Sequence, residues 1–127
     1  MGVMAALTGN AAEIPPEKGA ELFNQVLMDG EPVHRAYELY RDAFVFTDRR
    51  LIAKDAQGLT GKKIEWHSVP YRSISHFAIE TAGINDWDAE LKIFVSGSQT
   101  PAITKKFNRK LSIYEVGNVL SSYICSR

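Results

Sequence analysis

The stretch Asp42-Ala43-Phe44-Val45-Phe46-Thr47-Asp48-Arg49-Arg50-Leu51-Ile52-Ala53-Lys54-Asp55-Ala56-Gln57-Gly58-Leu59-Thr60-Gly61 decides the fold. Val45 and Thr47 point one way and Phe44 and Phe46 the other, the period of two that marks a strand. Thr47-Asp48-Arg49-Arg50 is a polar break. Leu51-Ile52-Ala53 resumes apolar, and Asp55 to Gly61 closes on two glycines that take positive φ without steric cost. The spacing predicts one β-hairpin followed by a tight loop. No catalytic motif interrupts it, so the sequence speaks to architecture and assembly rather than to a reaction.

Upstream of the hairpin, Val33 to Tyr40 alternates, with Val33, Arg35, Tyr37 and Leu39 on one face and His34, Ala36, Glu38 and Tyr40 on the other. Earlier still, Leu22, Phe23, Val26 and Leu27 repeat at a spacing of four and predict a helix over Glu17 to Met28, with Pro16 in its first turn and Gly30 after its end. Residues 1–16 carry no periodic pattern and end in two prolines, so they are expected to be a flexible arm, with residues 17–127 as one domain. Downstream, strands are expected over Lys62 to Tyr71, Ile74 to Thr81, Asp86 to Ser96 and Ala102 to Phe107, with turns at Gly83 to Asn85 and Gly97 to Pro101. Ser112 and Glu115 fit a capping box, flanked by Leu111 and Val116, and Val116, Val119, Leu120 and Tyr123 form the apolar face of a C-terminal helix. About seven strands thus lie between a short helix and a capped one. Such a sheet, curled on itself, has an open end, and an amphipathic helix is suited to close it.

Composition narrows the function. A chain of 127 residues is long enough for a core, and its hydrophobic fraction of 45% is that of a globular domain. Lys plus Arg and Asp plus Glu both number 15, so no net field draws the chain to nucleic acid or an anionic bilayer. Cys125 is the single cysteine, which excludes an internal disulfide and favours a reducing compartment. There is no long apolar run, and Met1 to Ile14 makes a poor signal peptide, so a cytoplasmic location is expected.

The words of the sequence are closer to a known family than its pattern alone. Arg41 to Ile52, Asp55 to Lys63, Ser68-Val69-Pro70-Tyr71, Glu80-Thr81-Ala82-Gly83 and Asp88-Ala89-Glu90-Leu91-Lys92-Ile93 resemble the bacterial pleckstrin-homology-like domain family, from about Leu27 to the C-terminus. The resemblance implies a mainly-β fold, a curled seven-stranded antiparallel sheet capped by a C-terminal helix. It also implies a domain that is not an enzyme, forms closed cyclic homo-oligomers and offers other proteins a polar surface where neighbouring sheets meet. A pentamer is the expected ring.

The charged residues fit that expectation in one of several ways. Asp86, Asp88 and Glu90 alternate, so their carboxylates leave one strand face. They do not match a calcium loop, because Leu91 stands where glycine is needed. An acidic stripe on a wet face is the plain account. A further account pairs the acids of Glu80 to Glu90 with Arg49, Arg50, Lys62 and Lys63, within the chain or across a subunit boundary. On that account Asp86, Asp88, Glu90, Arg49 and Tyr71 line a protein-binding groove. Arg50, Lys62, Lys63, Glu80 and Trp87 fall at the subunit contact, although Trp87 reads as core first and contact second. Lys105, Lys106, Arg109 and Lys110 around Phe107 are read as a solvated loop and helix entrance rather than a phosphate site. His34, His67 and His76 have no ligand spacing, and no nucleophile elbow or phosphate loop occurs, so no metal, cofactor or catalytic set is expected. The alternative function is a phospholipid or membrane-surface domain. Against it, Ala43 to Thr47 carries no base, and the loop before it offers only Arg41 beside Asp42, whereas lipid-binding relatives of this fold cluster bases there.

Overall fold

The structure is a computed structural model that describes residues 12–39, 41–81, 89–107 and 113–125. The expected turn at Gly83 to Asn85, the acids Asp86 and Asp88, Trp87, and the capping residues Leu111 and Ser112 lie outside the described residues. The chain divides at Val69 and Pro70 into two compact units.

The first unit is an antiparallel sheet in the order β1-β2-β3-β4-β5, built from Ala12–Ile14, Val33–Glu38, Ala43–Thr47, Arg50–Gln57 and Lys63–Pro70, with helix α1 over Pro16–Leu22. The hairpin forms as its alternation predicts, with Val45 opposite Ile52 and Phe46 opposite Leu51. All five residues of β3 are buried, so both of its faces are covered. That explains why this strand is nearly continuous in apolar residues rather than strictly alternating. Tyr37 stacks on Phe44 at 4.9 Å on one face, while Ala36, Val45 and Ile52 join Ile14 and Phe23 in the core on the other. β4 runs to Gln57, past the apolar Leu51–Ala53 that announced it. Gly58 and Gly61 take φ of +81° and +69°, as the tight loop requires.

Two N-terminal expectations are corrected. The arm expected over residues 1–16 contains β1, whose Ala12 and Ile14 lie opposite Glu38 and Ala36 of β2. Three residues are too few to show a period, and this strand exists through its distant partner, tied by an Arg35–Glu13 ion pair of 2.9 Å. The first helix ends at Leu22 instead of Met28. The Arg50 guanidinium takes the Val26 carbonyl at 2.9 Å, and the chain continues as turns in which the Phe23 carbonyl accepts from Val26 and Leu27. The apolar stripe is therefore divided between a helix and the turn after it. Phe23 is fully buried and meets Trp66 edge to face at 5.3 Å.

The second unit begins with a single 3-10 turn, Tyr71–Ser73. It continues with a sheet in the order β6-β7-β8 (Ile74–Thr81, Ala89–Val95 and Ile103–Phe107) and helix α2, Ile113–Ile124. Phe77 lies opposite Ile93 and Ile79 opposite Leu91, while Ile103 extends the row on β8. α2 packs on β6, β7 and the 3-10 turn. It buries Ile113, Val116, Gly117 and Leu120, close to the face expected from sequence.

Candidate interaction surface

Glu80 and Glu90 stand directly opposite each other across β6 and β7, and Glu90 stands opposite Lys106 of β8. Directly opposed residues of an antiparallel pair share a face, and like charges placed so repel. Lys92, two residues beyond Glu90 and on the same face, relieves that repulsion. Its ammonium lies 3.1 Å from Glu80 and 3.8 Å from Glu90. The hydrogen bond to Glu80, and then the charge of both carboxylates, holds the Lys92 ammonium above the usual lysine range. The row Glu80, Glu90, Lys106 thus runs acid, acid, base across the three strands. Glu80 is the more open of the two acids, with its side chain 61% exposed against 24% for Glu90.

Among the described residues the opposite face of this sheet is mainly apolar and holds one charged residue. Lys105 lies opposite Leu91 and is 5% exposed. It is a buried strand residue and not part of a solvated loop, which corrects its expected place; Lys106, its neighbour, is exposed. Tyr71, expected in the protein-binding groove, is half-buried against α2. Its ring stacks on Tyr123 of α2 at 4.4 Å and 14°, so one ring face is occupied by the helix.

The four bases grouped around the hairpin separate into three kinds. Arg49 is exposed at the β3–β4 turn, 3.6 Å from Asp48, and donates weakly to the Met28 sulfur at 3.8 Å. Arg50 beside it is not free for an interface. Its guanidinium donates to both oxygens of Glu31 at 2.7 and 2.9 Å, to the Ser68 hydroxyl at 2.8 Å and to the Val26 carbonyl. Lys62 and Lys63 are exposed at the other end of β4. An eight-residue strand rises about 23 Å, so these lysines and Arg49 do not form one patch.

Glu31, absent from the sequence reading, organises this corner. Its side chain is fully buried. Besides Arg50 it accepts from the Thr47 hydroxyl at 2.7 Å and the Met28 backbone N–H at 3.0 Å. The Arg50 hydrogen bonds lower its pKa to about 2 against the opposing effect of burial. The Thr47 hydroxyl in turn accepts the N–H groups of Arg49 and Arg50 and fixes the turn. Nothing local marks Glu31, whose partners Thr47 and Arg50 are 16 and 19 residues away. Lys92 was within reach of the sequence, since the alternation Glu90-Leu91-Lys92 places it beside the acids.

Among the described residues no cluster of three or more His, Cys, Asp or Glu gathers as a metal site, and no helix is long and apolar enough to cross a membrane.

A mainly-β chain of two antiparallel sheets, with a C-terminal helix packed on the second, is a pleckstrin-homology-like protein. The chain belongs to the bacterial PH domain family, whose pattern matches residues 2–124. It is 48% identical over 122 residues to the uncharacterized protein YjqA of Bacillus subtilis (strain 168), covering 96% of this chain and 98% of that one. Among solved structures, the pleckstrin homology domain from Shewanella amazonensis SB2B is 43% identical with a TM-score of 0.77, covering 96% of this chain and 98% of that one. The DUF1696 family protein with a pleckstrin-homology domain from Shewanella loihica PV-4 is 41% identical with a TM-score of 0.77, covering 91% and 98%.

Proposed function

We propose that this chain is a non-enzymatic, cytoplasmic protein–protein interaction module that assembles with copies of itself into a closed ring. The observation that carries the reading is the charge row of the second sheet. Glu80 presents acid on β6 and Lys106 presents base on β8, with Glu90 and Lys92 between them. A face with opposite signs on its two sides complements a second copy head to tail, and head-to-tail contacts close into rings when the rotation allows. The exposed bases Arg49, Lys62 and Lys63 on the first unit add further sites for acidic partners. A ring repeats each surface, so a partner meets several weak sites at once and binds by avidity. The module acts without cofactor or metal. The exposed thiol of Cys125 is in keeping with a reducing compartment.

Mass in solution tests the ring. Light scattering at low salt should give a discrete multiple of the monomer that falls as salt is raised, because exposed charges are screened. Glu80→Lys and Lys106→Glu should each dissociate it, and the pair together should restore it. A wild-type protein that is monomeric at micromolar concentration in low salt would overturn the reading.

A further inference from the structure

The last strand of the first sheet carries a second feature that the charge row does not use. β5, Lys63–Pro70, is an edge of the five-stranded sheet. At its start Lys63, Ile64 and Glu65 are all exposed, Ile64 to 43% although it is a large aliphatic. Adjacent strand residues point to opposite faces, so three exposed in a row mean that both faces of the strand are open to water here. An edge of this kind is an invitation to strand pairing unless the sequence repels it.

This edge does not repel a copy of itself. If two β5 strands pair antiparallel about Ile64, then Ile64 lies opposite Ile64 of the second copy. Lys63 lies opposite its Glu65, and Glu65 opposite its Lys63. Both charged pairs are of opposite sign, both are directly opposed, and the central pair is apolar, the combinations that favour a cross-strand neighbour. A lysine in place of Glu65 would have produced repulsion at both positions, which is how edges are ordinarily protected. Within its own chain Glu65 accepts an exposed 3.3 Å hydrogen bond from Gln57. We infer that β5 is a self-recognition edge, on which a second copy of this chain docks by antiparallel strand addition centred on Ile64. The contact is two-fold, the same patch on both partners, and is therefore distinct from the head-to-tail contact of the ring. Together they would join two rings face to face. Strand addition over so few residues is weak alone, and repetition around a ring would strengthen it.

Cysteine cross-linking tests the register. Opposed residues of an antiparallel pair have Cα atoms about 4.5–5.5 Å apart, within the span of a disulfide. In a Cys125→Ser background, Ile64→Cys should form a disulfide-linked dimer under mild oxidation at least about tenfold faster than Leu59→Cys, a fully exposed position in the same hairpin away from the axis whose greater accessibility alone would favour the opposite order. Adding Lys63→Glu should abolish that advantage, and adding Glu65→Lys as well should restore it. Cross-linking no faster than at Leu59, or a charge swap that does not restore it, would overturn the inference. The two proposals fail separately. A ring that shows no Ile64→Cys advantage removes the β5 contact alone, whereas a monomeric protein that cross-links efficiently at Ile64→Cys removes the ring alone.

Discussion

At the scale of the residue, the pair Glu31 and Arg50 ties down the chain between α1 and β2. Glu31 is buried with every oxygen engaged, and Arg50 joins its carboxylate to a backbone carbonyl of the turn after α1 and to β5. Removing one member leaves the other uncompensated. Glu31→Gln should cost about 2–4 kcal/mol, read as a fall in the urea midpoint. Arg50→Met should cost a similar amount, since it strands the carboxylate. The pH dependence has a definite sign. The Glu31 carboxyl, held by Arg50, titrates at about 2 when folded against 4.5 for the free group. Its contribution is therefore present in full above pH 4.5 and is lost as pH falls toward 2. The wild-type protein should lose up to about 3 kcal/mol across that window through this group, and Glu31→Gln should show a flatter profile there. A Glu31→Gln variant as acid-sensitive as the wild type would show that other carboxyls govern acid unfolding. From sequence, Arg49 is expected in the protein-binding groove and Arg50 at the subunit contact, both among the bases that flank the hairpin. What separates them is a partner 19 residues away, which no local pattern carries.

At the scale of the element, two helix glycines have different structural reasons. Glycine costs a helix about 1 kcal/mol against alanine, so each needs an explanation in packing. A Cβ on Gly19 would collide with the Cβ of Ala36 and come within 3.2 Å of Val45. The Ala36 Cβ cannot move without moving β2, so Gly19 sets how closely α1 lies on the sheet. A Cβ on Gly117 would meet the Ile79 Cδ1 at 2.6 Å, but that atom ends a flexible side chain and can rotate aside. Gly19→Ala should therefore lower stability by about 1–3 kcal/mol despite its better helix propensity, whereas Gly117→Ala should be close to neutral. Thermal unfolding of the two variants distinguishes them, and equal losses would refute the account. Leu120→Asp should prevent folding of the second unit, because Leu120 is completely buried on the inner face of α2. These elements were legible in sequence to different degrees for physical reasons. The hairpin and α2 are local, each with a period repeated several times. β1 is three residues paired with a strand more than 20 positions on, and the turn after α1 is held by the distant Arg50 side chain, so neither has a local signature. The candidate site was legible as a set of charged residues and not as an arrangement. Alternation placed Glu80, Glu90 and Lys106 on strands, but only pairing register put them in one row.

At the scale of the whole molecule, charge decides between a protein surface and a lipid surface. Attraction to an anionic bilayer needs about four or more bases gathered on one side, each worth about 1 kcal/mol near the membrane. This chain is neutral overall, and its described bases are distributed against that requirement. Arg50 is paired with buried Glu31, Lys92 is shared by two carboxylates, Lys105 is buried, and Arg49 lies a strand's length from Lys62 and Lys63. Arg41, in the loop before β3, turns back to donate to the Gly58 carbonyl. Lys62 and Lys63 of the β4–β5 hairpin have Glu65 two residues beyond them. The protein should therefore stay in the supernatant when sedimented with phosphatidylserine-containing vesicles at physiological salt. Lowering the salt should produce at most weak pelleting, since the electrostatic attraction extends over about one Debye length. Robust co-pelleting at physiological salt that disappears in Lys62→Glu/Lys63→Glu would place a lipid site on the hairpin tip and overturn the protein-interaction reading. Pelleting that persists in that variant would place the lipid contact elsewhere and overturn it equally.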